Sequence, residues 1–198
     1  MFPIFLKLDG RRCLVVGAGI IAEGKVRGLL AERAAVHVVA PDATSQIRDW
    51  AAAGLVRWEE RTFDPHDLEG AFLVIVATSS REVNSSVFNE AHLRGVLCNA
   101  VDDPANCDFY YPAVVNRGDL QIAISTNGRS PALAQRIRRE LEEQFGPEYE
   151  SWVAELGTER DQLGAVEMDP EARKKLLHEL ASRHSYEARI AARKGQGN

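Results

Sequence analysis

The feature that most constrains the fold is a run of small residues between a predicted buried strand and a predicted helix. Residues 17–22, with the sequence GAGIIA, directly follow the apolar residues 13–16. Gly17 permits a tight turn, Gly19 lets the backbone approach a phosphate, and Ala22 lets the helix pack closely on the strand. The helix N-terminus adds unpaired N–H groups and the positive end of its dipole. This order predicts a site for the pyrophosphate of a dinucleotide.

The composition is that of an ordinary globular protein, and it argues against nucleic acid and membranes as partners. The 198 residues carry a formal net charge of -5, with 45% hydrophobic and 27% charged residues. The negative charge argues against broad nucleic-acid binding, although a local basic patch can still hold an anionic small molecule. No apolar run approaches the roughly 20 residues of a membrane span, and the N-terminus lacks a signal-peptide pattern. We therefore predict a cytoplasmic protein that binds neither membranes nor nucleic acid.

The three cysteines do not indicate a metal site. Cys13 and Cys98 lie in apolar runs, where cysteine usually acts as a small buried hydrophobe. Cys107 lies in a polar loop, and its role stays open. Because the sequence contains no tight Cys-x-x-Cys motif or His/Cys cluster, we predict no metal ligands.

The first hundred residues alternate between strand and helix patterns. Apolar runs at residues 13–16, 36–40, 55–58, 71–77 and 95–101 predict five strands. Helices at about 20–32 and 82–93, and a short helix through Ile47 and Trp50, are predicted between them. Alternation of this kind predicts right-handed crossovers and a doubly wound parallel sheet of the Rossmann type.

The pattern changes after residue 102. Extended runs at 109–115 and 120–125, separated by a four-residue turn at 116–119, predict an antiparallel hairpin. Ser130 is the predicted N-cap and Pro131 the first residue of a helix that ends near residue 145. The chain from residue 148 onward is helical in pattern, with breaks at Gly157, Gly164 and Pro170, and we expect residues 195–198 to fray.

In an open parallel sheet, ligands bind beyond the carboxyl ends of the strands. Asp42 follows the second strand, slightly late for the acidic residue that bonds the adenosine ribose. No arginine stands beside Pro41 to accept a 2′-phosphate, and the nearest, Arg48, is a helix away, so we predict NAD rather than NADP. Thr78 follows the fourth strand and can contact the cofactor; alternatively, residues 78–80 simply cap the next helix.

Two further polar segments are candidates for chemistry. Asp102 and Asp103 end the fifth strand, where a partly desolvated carboxylate can act as a general base; the alternative is a turn formed by Asp-Asp-Pro. The loop at residues 126–131 combines hydroxyls, N–H groups and Arg129 at a helix start, which is typical of an anion site. Its alternative is an ordinary capped helix.

Several segments then match one family in order and spacing. They lie at residues 3–8, 17–25, 76–78, 83–84, 98–102 and 111–131. Together they resemble the precorrin-2 dehydrogenases, the NAD-dependent enzymes of sirohaem synthesis, over about residues 1–150. The Asn-x-Val-Asp sequence at 99–102 and the Ser130-Pro131 pair are more specific than the glycine loop. The chain carries Gly24-Lys25 where relatives often have Arg-Lys, and it resembles the stand-alone form without a methyltransferase domain.

The resemblance implies an α/β fold and an assembly. A Rossmann-type doubly wound parallel sheet at residues 1–108 binds NAD, a small α+β dimerisation region follows at 109–146, and a C-terminal helical domain spans 147–198. Relatives form intertwined homodimers. The implied reaction is the NAD-dependent dehydrogenation of precorrin-2, a polycarboxylated tetrapyrrole, to sirohydrochlorin.

The resemblance also implies roles for individual residues. The catalytic aspartate maps onto Asp102. Nucleotide contacts map onto Ile20 and Ile21 after the glycine loop, and onto Pro41 and Asp42 after the second strand. A hydroxyl residue near the tetrapyrrole maps onto Thr126. Because the substrate carboxylates need cationic and N–H partners, we expect further substrate contacts from Lys25, Asn99, Arg117, Gly128, Arg129 and Ser130.

Two other functions stay open. Some relatives also insert iron into sirohydrochlorin, so the chain could be a ferrochelatase as well, or mainly a chelatase. The other alternative is a non-enzymatic NAD-sensing module, which would need neither Asp102 nor the polar loop at 126–131.

Overall fold

A computed structural model describes residues 1–195 of the chain. The chain divides into two compact units, Met1–Tyr111 and Pro112–Asn198. Within the second unit, the helix that begins at residue 148 packs on both strands of the hairpin, so the predicted boundary between residues 146 and 147 does not separate compact units. The fraying predicted for residues 196–198 lies outside the described residues.

The first unit is built on a five-stranded parallel sheet in the order β3-β2-β1-β4-β5. The strands are β1 (Arg12–Val16), β2 (Ala35–Val39), β3 (Val56–Glu59), β4 (Leu73–Val76) and β5 (Leu97–Ala100). All four pairings are parallel. The order reverses between β1 and β4, and such a switch point opens a crevice for ligands at the carboxyl ends of the strands. The predicted Rossmann-type architecture is confirmed.

Helices cover both faces of this sheet, which explains why its central strands are apolar throughout. One face carries α1 (Ile20–Ala31) and α2 (Ser45–Ala52), whose core contacts include Ala22, Val26 and Ile47. The other face carries α3 (Arg81–Leu93) and a short 3-10 helix at Pro65–Leu68.

The second unit contains a hairpin followed by four helices within the described residues. These elements are β6 (Ala113–Arg117), β7 (Leu120–Ile124), α4 (Pro131–Gln144), α5 (Glu148–Ala165), α6 (Pro170–Leu180) and α7 (Arg183–Gly195). Arg117 pairs with Leu120, so the loop holds only Gly118 and Asp119, and the predicted four-residue turn is wrong. Gly118 makes this tighter turn possible because its φ is +62°. Ser130 caps α4 as predicted, accepting the Leu133 N–H at 3.3 Å.

The breaks predicted at Gly157 and Gly164 are also wrong, because α5 runs through both. A glycine inside a helix costs about 1 kcal/mol. Tertiary packing offsets this cost: the Trp152 and Tyr186 rings lie 4.8 Å apart, and Arg189 of α7 pairs with Glu155 and Glu159 of α5. Packing of α7 against α5 thus keeps α5 continuous through two glycines that would favour breaks in an isolated helix.

A buried histidine on β2 connects three strands of the sheet. Arg12 of β1 donates from Nη2 to His37 Nδ1 at 2.9 Å, and His37 Nε2 lies 3.0 Å from Glu59 Oε1 of β3. Because arginine only donates, Nδ1 must be unprotonated, and Nε2–H donates to Glu59. Burial lowers the pKa of His37, and the charge of Glu59 offsets part of that effect. The structure therefore favours neutral His37.

The lowered pKa of His37 predicts a loss of stability in mild acid. The unfolded chain takes up the proton first, so the stabilisation is complete above the unfolded pKa of about 6.5 and declines as the pH falls through that value. We expect the contribution of His37 to the free energy of unfolding to fall between pH ~7.5 and ~5.5, above the range where carboxylates titrate. The pKa of His66, raised by Asp64, acts in the opposite direction equally in the wild type and in His37→Gln. His37→Gln cannot gain this proton and should show a weaker pH dependence in urea unfolding. His178→Gln, at an exposed position on α6, should keep the wild-type slope; equal slopes for the wild type and His37→Gln would contradict the assignment.

Candidate functional site

The glycine loop begins where β1 meets β4. Gly17 has a φ of +99°, and a Cβ placed on it would lie 2.5 Å from the carbonyl oxygen of Ala77. Its N–H donates to the Val39 carbonyl at 2.9 Å. Both the backbone conformation and the contact with Ala77 therefore require glycine at this position.

Gly19 faces open space in the same loop. It is the N-cap residue of α1, no side chain caps that helix, and a Cβ on Gly19 would meet nothing within 4 Å. The first helical bond runs from Glu23 N–H to Gly19 O, so the N–H groups of Ile20 and Ile21 precede the helical ladder. Glu23 makes the first turn acidic, so an anion here is bound by backbone N–H groups rather than by side-chain charge. The loop fits a dinucleotide pyrophosphate.

The end of β2 differs from the sequence prediction. Pro41 and Asp42 are exposed as expected for nucleotide contacts, but Arg48 is not a helix away. Its Nη2 lies 2.5 Å from Asp42 Oδ1. Arg48 falls in the first turn of α2, and the chain between Pro41 and Thr44 turns back so that this first turn meets Asp42. The Ala43 N–H, and next the Arg48 guanidinium, hold the pKa of Asp42 below its usual range.

Thr78 uses its side chain to start α3. Its hydroxyl donates to Asn84 Oδ1 at 2.6 Å and accepts the Ser80 N–H at 3.2 Å. Ser80 is the N-cap, accepting the Val83 N–H at 3.3 Å. The capping alternative is confirmed for Ser80, and any contact of Thr78 with a cofactor falls to its backbone.

Asp102 occupies a strained position just beyond β5. The Asp103 N–H donates to the Ala100 carbonyl at 3.2 Å and closes a turn in which Asp102 has a φ of +60°. Turns of this shape usually place glycine or asparagine there. The side chain of Asp102 is exposed at the carboxyl edge of the sheet. The structure thus keeps a carboxylate where turn geometry alone favours glycine.

The charge of Asp102 acts on the amine of Lys25. The Nζ of Lys25 is 3.5 Å from the ring centroid of Tyr111. Burial lowers the pKa of Lys25, while the negative charge of Asp102 raises it. An amine, an aromatic face and a carboxylate therefore share one edge of the first unit.

Asn99 and Cys107 support the Asp102 turn. Asn99 is buried, and its Nδ2 donates to the Phe109 carbonyl at 2.7 Å and contacts Cys107 Sγ at 3.4 Å. The Cys107 thiol donates to the Ala100 carbonyl at 3.1 Å, and burial raises its pKa. Asn99 fixes the returning chain through its Nδ2, and its contact with substrate stays a prediction. Cys107 gains a structural role that its sequence position did not indicate.

Arg117 is likewise engaged by the protein. Its Nε donates to the Phe145 carbonyl at 2.8 Å and its Nη2 to the Glu142 carbonyl at 3.2 Å. These carbonyls end α4, whereas Ser130 begins it. A helix of 14 residues spans about 21 Å. The structure therefore does not bring Arg117 together with the loop at 126–130. Arg117 caps the C-terminus of α4, and its substrate contact stays a prediction.

The loop before α4 satisfies much of its own hydrogen bonding. Asn127 and Gly128 both have positive φ, and the Arg129 N–H donates to the Thr126 carbonyl at 3.0 Å, which forms a two-residue turn. The Asn-Gly pair is a sequence signal for such a turn. Thr126 Oγ1 accepts the Ser130 N–H at 3.0 Å. The Arg129 side chain is exposed and has no partner among the described residues.

Metal-binding clusters and membrane-spanning helices are both absent from the described residues. No group of three or more His, Cys, Asp or Glu side chains in that part of the chain is placed to hold a metal ion. No helix in the same part is both long and apolar enough to cross a membrane.

The sheet order and the open glycine loop define a Rossmann-type NAD(P)-binding protein. The family described as "Putative NAD(P)-binding" matches residues 4–113, and that described as "Sirohaem biosynthesis protein central" matches residues 117–144. The solved structure titled "SirC, precorrin-2 dehydrogenase" is 32% identical with a TM-score of 0.80, and the match covers 92% of this chain and 90% of that one. The chain belongs to the precorrin-2 dehydrogenase family.

Curated relatives extend the similarity to longer proteins. Siroheme synthase of Photorhabdus laumondii is 43% identical over 71% of this chain, and Siroheme synthase 1 of Aeromonas hydrophila is 37% identical over 96% of it. The matched regions cover 30% and 41% of those two proteins. The chain therefore spans well under half the length of these relatives.

The two loop glycines predict a separation of stability from cofactor binding. Gly17→Ala should lower stability by about 1–3 kcal/mol from backbone strain, with the clash at Ala77 in addition. Gly19→Ala should cost less than about 1 kcal/mol, but its methyl group would enter the space open to a pyrophosphate. We expect Gly19→Ala to weaken NADH binding at least about tenfold in a fluorescence titration while thermal unfolding changes little. Unchanged NADH affinity would mean that the phosphates do not approach this loop.

Proposed function

We propose that the chain oxidises precorrin-2 to sirohydrochlorin with NAD as hydride acceptor. The observation that carries the proposal is Asp102, a carboxylate kept at a positive φ on the cofactor edge of the sheet, whose charge acts on Lys25. Family membership supplies the substrate class, and the Gly17–Gly19 loop supplies a fitting cofactor site. The homodimer implied by the resemblance and the cytoplasmic location predicted from the composition belong to this proposal.

The chemistry asked of the protein is modest. Dehydrogenation removes one hydride and one proton from the macrocycle, and a bound nicotinamide supplies the hydride acceptor. Asp102 then takes the proton or orients the ring nitrogens. Lys25 binds a substrate carboxylate on the Asp102 edge of the first unit. In the second unit, the exposed Arg129 side chain is a further cation that can pair with a substrate carboxylate. The larger contribution is to hold both reactants in a geometry close to reaction.

The direct test is to incubate the purified chain with enzymatically made precorrin-2 and NAD. We expect absorbance changes that report NADH and sirohydrochlorin forming in equal amounts. NADH binding without turnover would contradict the proposal and favour a sensing module. A parallel incubation of sirohydrochlorin with ferrous iron and no NAD measures iron insertion, which stays a separate prediction.

Variants at Asp102 should separate stability from turnover. Asparagine tolerates positive φ and glycine relieves its strain, so Asp102→Asn and Asp102→Gly should fold with no loss of thermal stability. Both lack the carboxylate and should lose turnover by about 10²-fold or more. Asp103→Asn is the neighbouring control and should retain most activity. Undiminished turnover by Asp102→Asn would remove the carboxylate from the mechanism.

Lys25 should affect the substrate more than the cofactor. Lys25→Gln removes a charge-assisted contact of about 1.5 kcal/mol or more, so KM for precorrin-2 should rise about tenfold. NADH affinity should stay near the wild-type value. Arg27→Gln removes another cation from α1, one that lies over Trp50, and should change neither quantity. Equal effects of the two variants on KM would argue against a specific contact at Lys25.

A further inference from the structure

The end of β2 carries an acid and an arginine that are bonded to each other. Asp42 Oδ1 accepts the Ala43 N–H at 2.7 Å and pairs with Arg48 Nη2 at 2.5 Å. The Asp42 side chain is 85% exposed and the Arg48 side chain 46%. In Rossmann folds, an acidic residue near this point bonds the ribose 2′-hydroxyl of NAD, whereas an arginine accommodates the 2′-phosphate of NADP. This chain presents both groups together.

Arg48 is held in place independently of Asp42. Its Nε donates to the Ala43 carbonyl at 2.9 Å, and its guanidinium lies 4.7 Å from the ring centroid of Trp58. Trp58 is itself fixed, because its Nε1 donates to the Ala40 carbonyl at 3.2 Å. The guanidinium is therefore anchored at the end of β2 by a carbonyl and an aromatic face.

Asp42, in contrast, is held only by contacts at the surface, from the Ala43 N–H and from Arg48 itself. Its carboxylate is largely in water, so rotation away from Arg48 would leave no buried charge. An exposed ion pair of this kind contributes little to stability. Nη2 of Arg48 would then be available to a ligand oxygen, and Nη1 has no protein partner among the described residues. A planar guanidinium with two such nitrogens matches the geometry of a phosphate.

We infer that Arg48 allows the dinucleotide site to accept a 2′-phosphate as well as a 2′-hydroxyl, so that the chain binds NADP and NAD with similar affinity. Asp42 bonds the hydroxyl of NAD and repels the phosphate of NADP, while Arg48 attracts the phosphate. The relative strength of these two interactions, one from Asp42 and one from Arg48, determines whether the site prefers NAD or NADP. The inference rests on the cofactor site of the proposed function but not on the tetrapyrrole reaction.

The test is a binding titration without tetrapyrrole, in which NADH and NADPH fluorescence is followed for the wild type and three variants. We expect the two wild-type dissociation constants to agree within about tenfold. Arg48→Ala should shift their ratio towards NADH by at least about tenfold, and Asp42→Asn should shift it towards NADPH. Arg27→Ala, which also removes an arginine from a tryptophan face, should leave the ratio unchanged.

Each result has a distinct meaning. A wild type that binds NADH more than about tenfold tighter than NADPH overturns the inference, as does an unchanged ratio in Arg48→Ala. Neither result affects the proposed reaction, which fails instead if NADH binds and precorrin-2 is not oxidised. Absence of binding for both dinucleotides would contradict the cofactor site itself.

Discussion

The close approach of Gly17 to the Ala77 carbonyl is the contact on which the rest of the site depends. It lies at the point where the strand order reverses, between β1 and β4. A side chain at Gly17 would push the two strand ends apart and move the start of α1. Because the contact is that close, the N-terminus of α1 opens directly onto the crevice, with Gly19 leaving room for phosphate oxygens. The absence of a side chain at Gly17 therefore determines where a cofactor can bind and where its substrate must lie.

The chain is acidic overall, yet its cofactor edge holds two cations beside aromatic rings. Lys25 lies against Tyr111 and Arg48 against Trp58. A ring face attracts the cation and limits its movement without neutralising its charge. Asp42 forms an ion pair with Arg48, whereas Asp102 acts on Lys25 only through its charge. A net charge of -5 therefore says little about local anion binding, which depends on where a few cations are held.

Elements with a local signal were predictable from the sequence, whereas partners across the fold were not. The five strands, the glycine loop and the Ser130 cap follow from periodicity and short motifs. Asn99 and Arg117 were predicted to bind substrate because their residue types suit it. The carbonyls that engage them belong to Phe109, Phe145 and Glu142, residues with no local pattern linking them to Asn99 or Arg117. Arg48 was misplaced for a related reason: counting residues along the chain ignores the turn that brings the start of α2 back to Asp42.

Asp102 occupies a position where the backbone conformation favours glycine, and the presence of an aspartate there points to a role for its carboxylate. The turn after β5 is supported from several sides, by the Asp103 N–H, by the Cys107 thiol at the Ala100 carbonyl, and by Asn99 behind it. Such support can hold an unfavourable backbone conformation in place. If the turn only connected two segments, glycine would satisfy it at lower energy. An aspartate here is consistent with the proposed role of its carboxylate, whose charge also acts on the amine of Lys25.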